Sequence, residues 1–153
     1  MIPSTIERVP LHTAEQVNRR IRDRAERSVV RHVARGPGAI EQRLRELDRE
    51  WDIERALEAA AGTVSLTGLG LGATVDRRFY LLPGAVAGFL LLHAIQGWCP
   101  PLPVLRRLGF RTAEEIAAER YALKAMRGDF RDVSADNGAT PTAVKQALQA
   151  ARP

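Results

Sequence analysis

The chain is predicted to be all-α: an antiparallel two-helix transmembrane hairpin flanked by amphipathic cytoplasmic helices. Three observations lead there. The charge is unevenly placed, since only 4 of the 50 residues from Ala56 to Leu105 are ionised against 37 of the other 103. That charge-poor block divides at Asp76-Arg77-Arg78 into 17 residues, Ala59–Val75, and 27 residues, Phe79–Leu105, with His93 counted as neutral. Outside the block, apolar residues recur every three or four positions, the spacing of a helix face.

The elements follow in order. Residues 1–38 are expected to form an amphipathic helical arm. Thr13-Ala-Glu-Gln16 has capping-box form, and Val17, Ile21, Ala25, Val29 and Val33 recur every four residues until Gly36-Pro37-Gly38 breaks the run. Residues 39–58 are expected to form a juxtamembrane helix, with Ile40, Leu44, Leu47 and Trp51 on one face and no breaker before Leu57 and Ala61, so that it runs on into the first span. Residues 59–105 form the two-span hairpin. At about 1.5 Å per residue the first segment reaches roughly 26 Å and the second exceeds the hydrocarbon thickness of about 30 Å. Residues 106–130 hold a carboxyl-terminal helix, opened by the capping-box sequence Thr112-Ala-Glu-Glu115 and ended near Arg127 by Gly128. Residues 131–153 are expected to be a flexible tail, with a linker over Arg131–Thr140 and a short helix opened by Pro141.

A buried hairpin in a soluble protein competes with the membrane reading, because Gly62, Gly68, Gly70 and Gly72 would each cost a water-exposed helix about 1 kcal/mol relative to Ala. In lipid, helix is enforced by the cost of unsatisfied backbone, and small residues let a second helix approach. Gly68-x-x-x-Gly72 and Gly84-x-x-x-Gly88 have the spacing for such packing. Trp51, Tyr80 and Trp98 stand near the expected interfaces, as do Arg106 and Arg107. Basic residues cluster before the first span and after the second, while the turn carries only Arg77 and Arg78, which places both termini in the cytoplasm.

Ile53-Glu54-Arg55-Ala56-Leu57 leading into a glycine-rich span, a charged turn, Gln96-Gly97-Trp98-Cys99-Pro100-Pro101-Leu102-Pro103 and then Arg106-Arg107-Leu108-Gly109 resemble the YgaP-like inner-membrane domain family over about residues 50–111. These are small bacterial two-span domains. The resemblance implies a homo-oligomeric hairpin in the bacterial cytoplasmic (inner) membrane. Some relatives carry a rhodanese domain ahead of it. The first 55 residues are too short and too helix-like for one, so sulfurtransferase activity does not carry over.

Cys99 is the one candidate reactive thiol, and basic neighbours favour a thiolate. The alternative is a small apolar residue filling a helix end. His93 and Gln96 are the candidate polar groups within the second span, with His93 expected to bond Thr63, Thr67 or a backbone carbonyl of the other helix. No metal site is expected from one His and one Cys, and no phosphate loop, metalloprotease motif or nucleophile elbow is present. No cofactor is implied, no catalytic residue is assigned, and no signal-peptide pattern opens the chain.

Three function classes remain. The favoured one is a self-associating, non-enzymatic membrane scaffold or accessory module, its partners the lipid bilayer, further copies of itself and an unidentified protein. The second is a thiol- or sulfur-handling membrane component using Cys99. The third is a soluble helical protein binding nucleic acid through the Arg-rich first arm, which the interleaved acids and the lack of stacking aromatics disfavour.

Overall fold

The computed structural model describes Ser4, residues 6–133 and residues 140–152. Among these the regular elements are all helical: α1 (Arg8–Leu11), α2 (Glu15–Arg35), α3 (Pro37–Leu47), α4 (Ile53–Thr74), a 3₁₀ turn (Arg77–Tyr80), α5 (Leu81–Gln96), α6 (Leu102–Leu108), α7 (Ala113–Arg127) and α8 (Pro141–Ala151). They group into two compact units, Met1–Ile21 with Trp51–Glu114, and Arg22–Glu50 with Glu115–Pro153.

The sequence reading of one helix from residue 39 into the first span is corrected. α3 stops at Leu47, and α4 starts afresh at Ile53. Asp52 supplies the start: its side chain accepts from the Arg55 N–H at 2.7 Å, and the Ile53 N–H donates to Arg111 O at 2.8 Å. Ile53 and Leu57, one turn apart, then point into a core with Val9, Cys99 and Leu102, flanked by Leu105 and Phe110. Burial of each of these aliphatic side chains stabilises the fold by about 1.5–3 kcal/mol.

α4 and α5 pack antiparallel. Gly72 faces the Tyr80 ring, Gly68 faces Leu82 and Pro83, and farther along Glu54 meets His93. A Cβ on Gly68 would lie 2.9 Å from both Leu82 Cβ and Pro83 Cδ, so this close approach requires glycine. The pair's remaining surface is strongly apolar and faces outward, with Leu66, Leu81 and Leu91 exposed at 72%, 76% and 63%. Among the described residues, one helical run, Arg77–Gln96, is long and apolar enough by length and composition to cross a membrane, and only 6% of that window is buried. Over α4 the glycines, threonines and Ser65 dilute the apolar content.

The second apolar segment divides into two helices. α5 ends at Gln96, where Gly97 takes φ +79° and its N–H bonds His93 O at 2.7 Å. α6 begins only after Pro100 and Pro101. Thr13 does not form the expected capping box, because its hydroxyl donates to Val9 O at 2.8 Å and accepts from Arg106 Nε at 3.2 Å.

In the second unit, Ile40, Leu44 and Leu47 of α3 pack on Ile116 and Leu123 of α7, with Val29 and Val33 of the α2 stripe against them. Gly36, at φ +94°, makes the expected break between α2 and α3. Arg43 forks onto the fully buried Glu119 carboxylate at 2.9 and 3.2 Å, and Arg120 pairs with Asp48. α7 ends at Arg127 before Gly128, as its sequence predicts. The short helix expected to open at Pro141 is α8, capped by Thr140, and Lys124 Nζ donates to Ala150 O at 3.1 Å. The expected linker falls partly on residues 134–139, outside the described residues.

Candidate functional site at the Cys99 end of the helix pair

Four chemically capable side chains from three separate stretches meet at one end of the α4/α5 pair. The Asp52 cap fixes the first turn of α4, which turns Ile53 inward and leaves Glu54 beside the last turn of α5. His93 occupies that last turn, and the left-handed Gly97 cap folds the chain back so that Cys99, two residues on, lies against the core. A side chain at Gly97 would collide with the backbone of Arg8, so α1 sits directly on this turn.

The bonding is specific. His93 Nε2 lies 2.9 Å from Glu54 Oε2, while Glu54 Oε1 accepts from Arg8 at 2.8 Å. The same guanidinium donates to Ala94 O at 3.1 Å and His93 O at 3.4 Å, covering carbonyls at the α5 carboxyl end where a cation is favoured. The hydrogen bond from His93, reinforced by the Arg8 charge, holds the Glu54 carboxyl below the usual carboxylate range. An ionised Glu54 can only accept, so Nε2 carries a proton.

The Cys99 thiol lies within interaction range of the same imidazole. His93 and Cys99 are each 3% exposed, and Nδ1 is buried without a formed hydrogen bond. Arg8, Glu54 and His93 are thus tied into one chain of polar contacts, and Cys99 lies beside it in the core.

Beside the thiol runs a groove of about 250 Å³ between α4 and α5, lined by Leu57, Ala61, Val64, Val86, Phe89 and Cys99 among others. Val64 and Phe89 are 43% and 45% exposed, so the groove opens outward.

Of the residues singled out from sequence, His93 and Cys99 come together. His93 does not bond Thr63 or Thr67, whose hydroxyls donate instead to Ala59 O and Thr63 O at 2.8 Å within α4; the Glu54 carboxylate is the stronger acceptor within reach. Gln96 is exposed and takes no part. Gly68 and Gly72 lie in the helix contact, whereas Gly84 and Gly88 have nothing within 4 Å of where a Cβ would stand. Arg106 is corrected as an interface anchor: at 1% exposure it is buried among protein acceptors, donating to Asn18 Oδ1 at 2.9 Å and Phe110 O at 3.1 Å. Arg107, Trp51, Tyr80 and Trp98 are exposed, and Arg55 stacks 4.5 Å over the Trp51 ring.

Sequence reasoning missed Arg8 and Glu54. They stand 46 residues apart, and Arg8 bonds the carbonyl of His93 across 85 residues, so no local pattern links them. The usable signal for Glu54 was a carboxylate just before the first apolar segment, with a histidine near the end of the second. Among the described residues, no three His, Cys, Asp or Glu side chains are arranged to hold a metal ion. Comparison with protein-family models, curated protein sequences and solved structures finds no match to this chain.

Proposed function

We propose that this chain is a self-associating membrane module of the bacterial cytoplasmic membrane, with residues 59–105 inserted as a hairpin and both arms, together with the first turn of α4, on the cytoplasmic side. One observation carries the reading. The α4/α5 pair buries glycines against its own partner helix while its large aliphatic side chains face outward, Leu66, Leu81 and Leu91 most of all. An apolar surface of that extent needs lipid or protein around it. The likeness of residues 50–111 to the YgaP-like inner-membrane domains points the same way. Gly84 and Gly88, left open on α5, offer a second copy the close approach that Gly68 and Gly72 give within the chain. The arms, rich in interleaved Arg, Glu and Asp, then serve as the accessory surface for other proteins.

Expression of the full chain followed by detergent-free lysis and carbonate washing tests insertion. Retention in the membrane pellet is expected, and release into the aqueous fraction overturns the reading. In a Cys99→Ala background, a cysteine placed at Asp76 in the turn reacts with an impermeant maleimide from outside, whereas one at Arg22 reacts only after permeabilisation. The reverse pattern overturns the orientation.

A further inference from the structure

We propose that Arg24, Arg27, Arg31 and Arg35 of α2 form a binding row for anionic phospholipid headgroups, holding that helix along the cytoplasmic leaflet. The proposal rests on the membrane reading above, which puts the arms on that side of the bilayer.

Along the sequence these arginines alternate with acids, but on the folded helix they do not. They follow one another at steps of three, four and four residues, all within the single helix Glu15–Arg35. At about 3.6 residues per turn this places the four within roughly 80° of the helix circumference, in a row about 16 Å long. Asp23 and Glu26 both fall to one side of the row. On its other side the helix turns inward, with Ser28 buried and Val29 and Val33 packed on the α3/α7 core. The row is therefore an acid-free ridge whose four side chains are all exposed.

These arginines also differ from others in the same unit. Arg43 binds the buried Glu119, Arg120 pairs with Asp48, and Arg127 pairs with Asp129. Arg24, Arg27, Arg31 and Arg35 have no ion pair or side-chain hydrogen bond among the described residues. Like charges at three- and four-residue spacing repel one another and weaken a helix. Four stacked guanidinium groups without a counter-charge thus oppose the helix that carries them, and an outside anion relieves the repulsion. Guanidinium forks match phosphate oxygens two at a time.

The form of the ridge selects a lipid surface over a nucleic acid. A bilayer touches one side of a helix lying on it, and its headgroups move laterally to meet the spacing of the arginines. A nucleic-acid groove encloses a helix from both flanks, which would bring Asp23 and Glu26 against phosphates. From Glu15 to Arg35 there is no Phe, Tyr or Trp on which an unpaired base could stack. A cluster of four basic residues on a cytoplasmic helix beside a membrane is enough to hold it to an anionic leaflet. With no large apolar side chain in the row, the attachment is electrostatic and yields to salt.

The test uses the full chain in nanodiscs made either of phosphatidylcholine alone or of phosphatidylcholine with phosphatidylglycerol. Ala34, exposed beside the row, is changed to cysteine in a Cys99→Ala background and labelled with bimane. Quenching by a nitroxide carried on a fraction of the headgroups then reports contact with the leaflet. Strong quenching is expected only in the anionic discs, and added salt should reverse it. At the salt concentration that half-releases the label, Arg27→Gln with Arg31→Gln should lower the bound-to-free ratio about 25-fold, or fivefold for each arginine. The charge-matched pair Arg45→Gln with Arg49→Gln, outside the row, should change it by no more than about twofold, because surface charges act weakly at a distance. All four substitutions are exposed and keep good helix formers, so the fold is retained. Equal quenching in both lipids overturns the proposal, as does an equal effect of the two variant pairs. Displacement of the label from anionic discs by a short DNA duplex overturns it in favour of nucleic acid. Carbonate washing of cell membranes separates the two readings: release of the chain overturns insertion and this proposal with it, whereas retention without lipid-dependent quenching overturns this proposal alone.

Discussion

Gly68→Ala isolates the steric basis of the helix pair. The added methyl would stand 2.9 Å from Leu82 Cβ and Pro83 Cδ and 3.1 Å from Phe79 O. None of these can move without shifting backbone, because two belong to the first atoms of α5 side chains and one to the main chain. Overpacking of this kind costs about 1–3 kcal/mol. Alanine also removes the glycine penalty in a helix, about 1 kcal/mol in its favour. Gly70→Ala supplies that second effect alone, since nothing lies within 4 Å of its Cβ position. The difference between the two variants should therefore equal the overpacking cost, about 1–3 kcal/mol in favour of Gly70→Ala. Gly72→Ala should fall between them, because the Tyr80 ring it meets is 45% exposed and can swing aside. Reversible unfolding of the full chain in detergent micelles, followed by energy transfer between dyes at Thr63 and Gly88, measures all three. Equal stability of Gly68→Ala and Gly70→Ala would refute the close contact of α4 with α5.

Other outcomes follow from the polar interior. Arg106→Ala should cost at least about 3 kcal/mol by withdrawing a charged donor from Asn18, Thr13 and Phe110, whereas the exposed Arg107→Ala should stay within about 0.5 kcal/mol, both read from thermal melts. Arg43→Ala should cost about 3 kcal/mol in hydrogen-exchange protection of α3 and α7, because it removes two bonds from the buried Glu119 carboxylate. Glu54 has its carboxyl pKa depressed in the folded chain, so its contribution is complete above the unfolded carboxylate value and fades as pH falls through the lower folded value. Melts of wild type and Glu54→Gln should thus differ most near neutrality and converge in acid; a gap that widens toward low pH contradicts the assignment.

Much of the helical order was legible because it rests on local chemistry. Gly36 and Gly128 end helices through left-handed backbone that other residues avoid, and Pro141 opens α8 where its missing N–H has no partner to lose. The Val17-to-Val33 stripe and the uncharged middle of the chain are periodic signals of the same local kind. The break before Ile53 was missed although the Asp52 cap is a local signal; the bond from Ile53 to Arg111, 58 residues away, is not. Arg106 reads as a surface cation until tertiary structure surrounds it with acceptors. The site shows the same division: Cys99 and His93 are six residues apart and were noticed, whereas Glu54 and Arg8 join them only once the chain has folded.

The hydroxyls of Thr63, Thr67 and Thr74 each turn back on the carbonyl four residues earlier in their own helix. They form no rungs to α5, so in the middle of the pair only the fit of glycine notches against side chains sets the register. Continuous chain joins the two rods at the Asp76 bend, and the Glu54–His93 clasp joins them at the other end. The assembly is thus a ladder with two end bars and no polar steps between, so that without the clasp the bend and the glycine notches alone hold the rods in register.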